Sequence, residues 1–382
     1  LVGRRALAPY PSGPTATYVR DGSRTISLSV GRRVARATAF ATATRPEVLE
    51  LGPATGGPVL QRVDRYDGAR RLARREYRAG STLVAGYAYS YDSANRVIAQ
   101  THLHAGARAD VYEYDAGDRV SRANRWAIPE SEVCGAPPSP GCVPANQTGS
   151  WSFERDGVRY FGGAYERQYG YDDHDQLTSV TTRGLGPAGV ASTLSVGSHN
   201  RLGRVDGLDV TYDGLGNMTT VASVLGRLDL QFDGQSRLRQ VTRVDGTTIA
   251  YRYRPDGLVY ERTLTCGSSA PSCTSEATRY VYDENAKLVE VYDLTGSSPS
   301  LTARYIYLDE GEVPLAVDLQ SATGLERYYL IVDRVGSIMG LMTEAGQVAE
   351  WVDYDPYGLP TFWDAGRTQA SLESSLGHVL AF

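Results

Sequence analysis

"YSYDSANRVIAQ", Tyr89 to Gln100, places two tyrosines two residues apart, then an aspartate, then an arginine followed by an apolar residue. Met in isolation, Asp92 and Arg96 form a candidate acid–base pair. The pattern is not isolated. Written as Tyr-Asp-x-x-(Gly/Asn/polar)-(Arg/polar)-(Val/Leu), it recurs as "YDGARRL" from Tyr66, "YDAGDRV" from Tyr114, "YDDHDQL" from Tyr171 and "YDGLGNM" from Tyr212. It continues as "FDGQSRL" from Phe232, "YRPDGLV" from Tyr253, "YDENAKL" from Tyr282 and "YLDEGEV" from Tyr307, with looser copies from Val332, Met342 and Tyr354. A catalytic pair is not copied many times along one chain, whereas a turn must be.

Each copy reads as a β-hairpin. Tyrosines at alternate positions, as in Tyr89/Tyr91, Tyr112/Tyr114, Tyr169/Tyr171, Tyr251/Tyr253 and Tyr280/Tyr282, have strand periodicity and share one face. The aspartate opens a turn, where its carboxylate accepts backbone N–H groups two residues on. These turn formers are Asp67, Asp92, Asp115, Asp172, Asp213, Asp233, Asp283, Asp333 and Asp355. Gly or Asn later in the turn supplies a left-handed backbone position. Arg-Val or Arg-Leu starts the return strand. One hairpin is not stable alone, but stacked hairpins cover one another and form a continuous sheet. The expected class is therefore all-β, built of stacked antiparallel hairpins. Early repeats are about 20 to 29 residues apart outside two inserts, too short for propeller blades of about 40. No long 3.6-residue period appears; "TQASLESSLG" (Thr368 to Gly377) is read as a loop.

Composition supports a sheet with polar partners in reach. Tyr occurs 26 times and Phe 6; a tyrosine ring packs while its hydroxyl finds an acceptor. Lysine occurs once, at Lys287, among 39 Lys plus Arg, a bias that a GC-rich genome produces by itself. The net charge of −5 gives no sign of a nucleic-acid partner, and no stretch is apolar enough to span a membrane. The chain starts at Leu1 without Met, and the expectation is a piece of something longer.

Four cysteines form two close pairs, Cys134/Cys142 in "CGAPPSPGC" and Cys266/Cys273 in "CGSSAPSC". The spacings do not fit zinc or redox motifs. Two local disulfides are expected, and with them an oxidising compartment, secreted or at the cell surface. His102 and His104 lie two apart in a strand, but two ligands alone make a weak metal site. No nucleophile triad, phosphate loop or calcium loop is present, so neither catalytic residue, metal nor cofactor is expected. Asn146-Gln147-Thr148 and Asn217-Met218-Thr219 match the glycosylation rule and are read as chance.

Along the chain, residues 1–62 carry a degenerate lead-in hairpin and a connector. Residues 63–304 hold the regular repeats, with cysteine-bearing inserts near 126–165 and 265–278. Residues 305–382 hold the tighter C-terminal repeats, cut short at the end.

These units resemble the YD repeats of the Rhs family, shared with the Tc-toxin cocoon component and with teneurins. The segment "RYYLIVDRVGSIMGLMTEAGQVAEWVDYDPYGLP" resembles the Rhs core signature at Tyr328, Tyr329, Asp333, Gly336, Ser337, Leu341, Gly346, Tyr354, Asp355, Pro356, Tyr357 and Gly358. It departs at Thr343-Glu344, where the family often has Asp, and at "LIVD", where a His often precedes the Asp. The likeness covers roughly residues 63–382. It implies a spiralling sheet forming part of a hollow shell around a C-terminal toxin domain of the same parent chain. The self-cleavage site and the toxin would lie beyond Phe382, leaving a non-enzymatic shell segment of a secreted bacterial polymorphic toxin. Its partners would be that toxin, the remainder of the shell and a secretion apparatus. The alternative is a cell-surface adhesion scaffold whose tyrosine-rich faces bind glycans.

Overall fold

The computed structural model describes residues 2–6, 10–21, 24–40, 46–52, 58–105, 108–132, 152–155, 158–163, 165–184, 191–196, 201–223, 226–270, 273–308, 313–354, 358–371 and 373–377. The described residues form 33 β-strands, one 3-10 turn at Glu130–Glu132 and no α-helix. The fold is all-β and built of stacked antiparallel hairpins. The stretch from Thr368 contributes a two-residue strand, Ala370–Ser371, followed by a turn. No helix is long and apolar enough to cross a membrane among the described residues.

The chain divides into two compact units. The first comprises Leu1–Tyr112, Asn124–Gly163 and Thr302–Phe382. Its N-terminal ladder runs strand to neighbouring strand from Val2–Ala6 to the strand that starts at Arg108. Its C-terminal ladder runs the same way to Ala370–Ser371. The period of two decides which residues meet between them. In the strand Thr82–Tyr91, Tyr87 and Tyr89 are 0% and 7% exposed, while Ser90 between the tyrosines is exposed.

The two ladders of this unit are tied by tyrosine hydroxyls. Tyr10 donates to the Tyr305 carbonyl (3.0 Å), Tyr18 donates to the Tyr307 carbonyl (2.9 Å), and Tyr77 accepts from the Val332 N–H (3.0 Å). Phenylalanine at these three positions would fill the same space without the bonds. Tyr10, Tyr18 and Tyr77 thus sit between two ladders, with main chain as their polar partner. Gly346 marks how closely the ladders approach. Its φ is 80°, and a Cβ there would stand 2.5 Å from Ala79 Cβ and 2.9 Å from Leu60 Cδ2.

The second unit comprises Glu113–Ala123 and Ala164–Leu301. Its strands pair in chain order from Tyr165–Tyr171 to Leu208–Asp209 and again from Thr211–Tyr212 to Leu288–Asp293. Strands such as Leu238–Arg243 (LRQVTR) and Val259–Thr265 (VYERTLT) are rich in Thr, Arg, Gln and Glu and are mostly half-buried or exposed. Val241, Leu288 and Val291 are among its few buried apolar residues. Cys266 and Cys273 are joined by a disulfide, with Cα atoms 5.6 Å apart. Cys134 and Cys142 lie outside the described residues.

Candidate functional site: the Tyr-Asp-Arg clasp

Within "YDSANRV", Asp92 Oδ1 accepts the N–H of Ala94 (3.0 Å) and of Arg96 (2.9 Å), while Arg96 Nε donates to Asp92 Oδ2 (2.7 Å). The Asp92 N–H closes the hairpin on the Arg96 carbonyl (3.0 Å), and Asn95 takes the left-handed position at φ 65°. Asp67, Asp115 and Asp233 repeat the arrangement with Arg71, Arg119 and Arg237. At Asp213 the cation is replaced by Asn217, whose amide donates to Oδ2 (2.9 Å). Asp172 and Asp283 make the same two backbone bonds, to residues 174 and 176 and to 285 and 287. The Arg71 N–H and then its guanidinium hold the Asp67 carboxyl below its ordinary value, against the opposing pull of burial. At Asp115 the Arg119 guanidinium leads the same effect. These carboxylates are committed to shaping a turn.

The return-strand arginine also reaches the next repeat. Arg71 lies 4.4 Å over the Tyr91 ring, and its Nη1 donates to Asn95 Oδ1 (2.7 Å). The Tyr91 hydroxyl reaches back to the Leu72 carbonyl (2.7 Å). In the second unit, Arg119 lies 4.4 Å over Tyr171, whose hydroxyl donates to the Val120 carbonyl (2.8 Å). Arg237 covers Tyr253 at 4.9 Å, and Tyr253 donates to the Leu238 carbonyl (2.7 Å). Tyr212, Tyr282 and Tyr354 make the corresponding bonds to the carbonyls of Leu202, Val259 and Ile338. Tyrosine, aspartate and arginine therefore act as one device, which shapes a turn and fastens the following hairpin to it.

The core-signature residues take part in the same construction. Asp333 Oδ1 accepts three N–H groups, from Val335, Gly336 and Ser337; burial nevertheless raises its pKa. Gly336 has φ 99°, and a Cβ there would stand 2.4 Å from Val313 Cγ2. Tyr329 is wholly buried, which pushes its phenol up. Tyr328 donates to Glu326 (3.1 Å), and Gly358 is left-handed at φ 88°. Asp355, Pro356 and Tyr357 lie outside the described residues.

The sequence reading missed a second layer of charge within the first unit. Asp64, 1% exposed, holds Arg75 through two bonds (2.7 and 2.8 Å). Asp318 holds Arg327 likewise (2.7 and 2.9 Å), with Arg304 at 3.5 Å. Asp110 is met by His102 Nε2 (2.9 Å), Arg125 Nη1 (2.8 Å) and the Trp126 N–H (3.0 Å). His104 stacks on Trp351 at 4.7 Å, and Arg367 lies over both Trp126 and Trp351. No group of three or more metal-ligating side chains occurs among the described residues. The available signal was an aspartate within a strand, a position that residue disfavours, two residues before a repeat tyrosine, as in Asp64/Tyr66 and Asp110/Tyr112.

The family model of the teneurin YD-shell matches residues 151–361, more than half of the chain. The chain belongs to the teneurin YD-shell family. Solved structures extend this likeness of a YD-shell chain beyond the matched segment. The crystal structures of TcdB2-TccC3 and TcdB2-TccC3-Cdc42 both superpose with TM-score 0.63, at 18% and 17% identity, and both cover 96% of this chain. TcdB2-TccC3 without hypervariable C-terminal region gives 0.62 at 18% identity over 93%. At such identities the likeness is one of fold. This YD-shell chain spans less than a fifth of the length of those chains. No curated protein matches it.

Proposed function

We propose that this YD-shell chain is a wall segment of a hollow shell that encloses a toxin domain from its own parent chain. The observation that carries the reading is the clasp. At six repeat tyrosines it fastens a hairpin to its neighbour through main-chain carbonyls and ring faces, and it commits the turn aspartates that would otherwise be candidates for chemistry. A wall needs such nearest-neighbour fastening and no catalytic residue. The fold likeness to TcdB2-TccC3 supports the same reading, since one of those structures is described by the absence of a hypervariable C-terminal region. The partners are then the enclosed domain and the rest of the shell, with a secretion apparatus for delivery. The Cys266–Cys273 disulfide supports an oxidising destination, outside the cell.

Electron microscopy of the intact parent protein tests this. The expected result is a closed wall around a cavity holding additional density. A solid body or an open rod without a cavity overturns it. A hollow shell whose parent chain ends in a surface anchor, with an empty cavity, favours an adhesion scaffold instead.

A further inference from the structure

A cleft at the turn edge of the first unit is walled by arginine and by no carboxylate. Its volume is about 560 Å3, and Arg70, Arg71, Arg75 and Arg334 line it beside Tyr66 and Tyr91. The four cations are not equivalent. Arg75 is fully committed, to both oxygens of Asp64 and to the Asp333 carbonyl. Arg71 spends Nε on Asp67 and Nη1 on Asn95, which leaves its Nη2 and the Asn95 amide as donors. Arg70 and Arg334 are exposed, and neither meets a carboxylate among the described residues. The nearby acids are occupied: Asp67 by Arg71, Asp64 by Arg75, and Asp333 by three backbone N–H groups.

Arg70 is also out of place by the logic of its own turn. It takes the left-handed position at φ 63°. The corresponding residue in most other turns is Asn95, Asp118, Asp175, Ser236, Ala286 or a glycine; the one other arginine there among the described residues, Arg367 at φ 55°, is paired with Asp353. A long side chain there carries a backbone cost that Gly, Asn and Asp largely escape. Strained positions persist where the surroundings enforce them, and they concentrate at binding sites. Here the strained residue brings an unpaired cation to the cleft.

We infer that this cleft binds the phosphate or sulfate ester of a sugar-sized alcohol. Guanidinium forks pair with oxyanions through parallel charge-assisted hydrogen bonds. Two guanidinium groups that meet no carboxylate, of which that of Arg334 lies 5.9 Å over the Tyr91 ring, offer with the Arg71 Nη2 and the Asn95 amide more donors than the two oxygens of a carboxylate accept, and they suit a tetrahedral group. The volume lies within the range of about 300–1,000 Å3 typical of small-molecule sites and exceeds what a bare ion fills. The Tyr66 ring gives the organic part a wall.

Calorimetric titration of the full parent protein at 150 mM salt tests this, using glucose 6-phosphate, glucose 6-sulfate, inorganic phosphate and glucose. Both esters bind, inorganic phosphate binds at least tenfold more weakly, and glucose gives no heat. Arg334→Gln and Arg70→Gly each weaken ester binding at least tenfold. Arg70→Gly also raises the melting temperature, because glycine relieves the left-handed backbone, so lost binding in that variant is not lost folding. Arg239→Gln, which removes an exposed arginine elsewhere, leaves affinity unchanged. The inference is overturned if neither ester binds, if inorganic phosphate binds as tightly as the esters, or if Arg239→Gln costs as much as Arg334→Gln.

Discussion

The guanidinium of Arg71 lies 4.4 Å above the ring of Tyr91, and the hydroxyl of Tyr91 returns to the carbonyl of Leu72, the residue after Arg71. Two adjacent residues of one hairpin thus grip a single tyrosine of the next, one by its face and one by its tip. Tyr91→Phe keeps the ring under the cation and removes only the hydroxyl bond. The expected loss is about 0.5–1.5 kcal/mol, read from the shift of a urea midpoint at unchanged slope. Tyr91→Ala removes both grips and should cost clearly more.

Asp64 and Arg75 are almost fully buried and joined by two bonds. Removing one partner strands the other charge, so Asp64→Leu or Arg75→Met alone should destabilise by about 3–5 kcal/mol. The double variant should be less damaged than either single one, because neither member of the bidentate pair is stranded; Arg62, 3.6 Å from Asp64, is the charge that still loses a partner. A double-mutant cycle in denaturant checks this; simple additivity would refute the coupling.

Acid should loosen the first unit in two stages. Burial, then the neighbouring His102, lowers His104 from 6.5 to about 4. The unfolded chain therefore binds a proton that the folded chain refuses between pH 6.5 and 4. Stability is full above this window and falls as pH drops through it, by on the order of 3 kcal/mol in all. Burial opposes the charge of Asp110, but Arg125 and His102 outweigh it and bring its pKa from 3.8 to about 2. The stability from this group is present above pH 4 and lost as pH falls toward 2. Unfolding measured from pH 7 to 4 should show the first stage in the native protein and lack it in His104→Gln.

Cys266 and Cys273 close a loop of seven residues' separation. So short a loop restricts the unfolded chain modestly, and Cys266→Ser with Cys273→Ser should cost at most about 2.5 kcal/mol. Thermal melts of the double variant and of the parent measure it. Mass spectrometry of unreduced peptides decides whether Cys134 and Cys142 are joined as well.

A Cβ on Gly336 would meet Val313 Cγ2 at 2.4 Å, at a φ of 99°. Gly336→Ala should destabilise by about 1–3 kcal/mol from strain and overpacking together. Adding Val313→Ala should recover only part of the loss, since the backbone strain remains.

The hairpins were legible because their determinants are local. Alternate tyrosines, an aspartate and a left-handed residue lie within one turn, and no other part of the chain is needed to read them. Asp92 and Arg96 could be assigned to a turn for the same reason. The packing of one ladder on another was not legible. The bond from Tyr77 to Val332 and that from Arg75 to Asp333 join residues more than 250 positions apart, and nothing in either local pattern names the partner. The buried aspartates escaped notice because a charge in a strand becomes intelligible only once its arginine is placed beside it. Arg70 was not legible as a left-handed residue, since that position is signalled by Gly or Asn and an arginine there carries no such mark.

The tyrosine hydroxyls end on carbonyl oxygens of the preceding hairpin, a group that every residue carries. The acceptor side of each joint is thus indifferent to side-chain identity. For this bond, hairpins that share the joint are interchangeable parts: one can be exchanged for another provided its neighbour keeps the arginine that covers the ring.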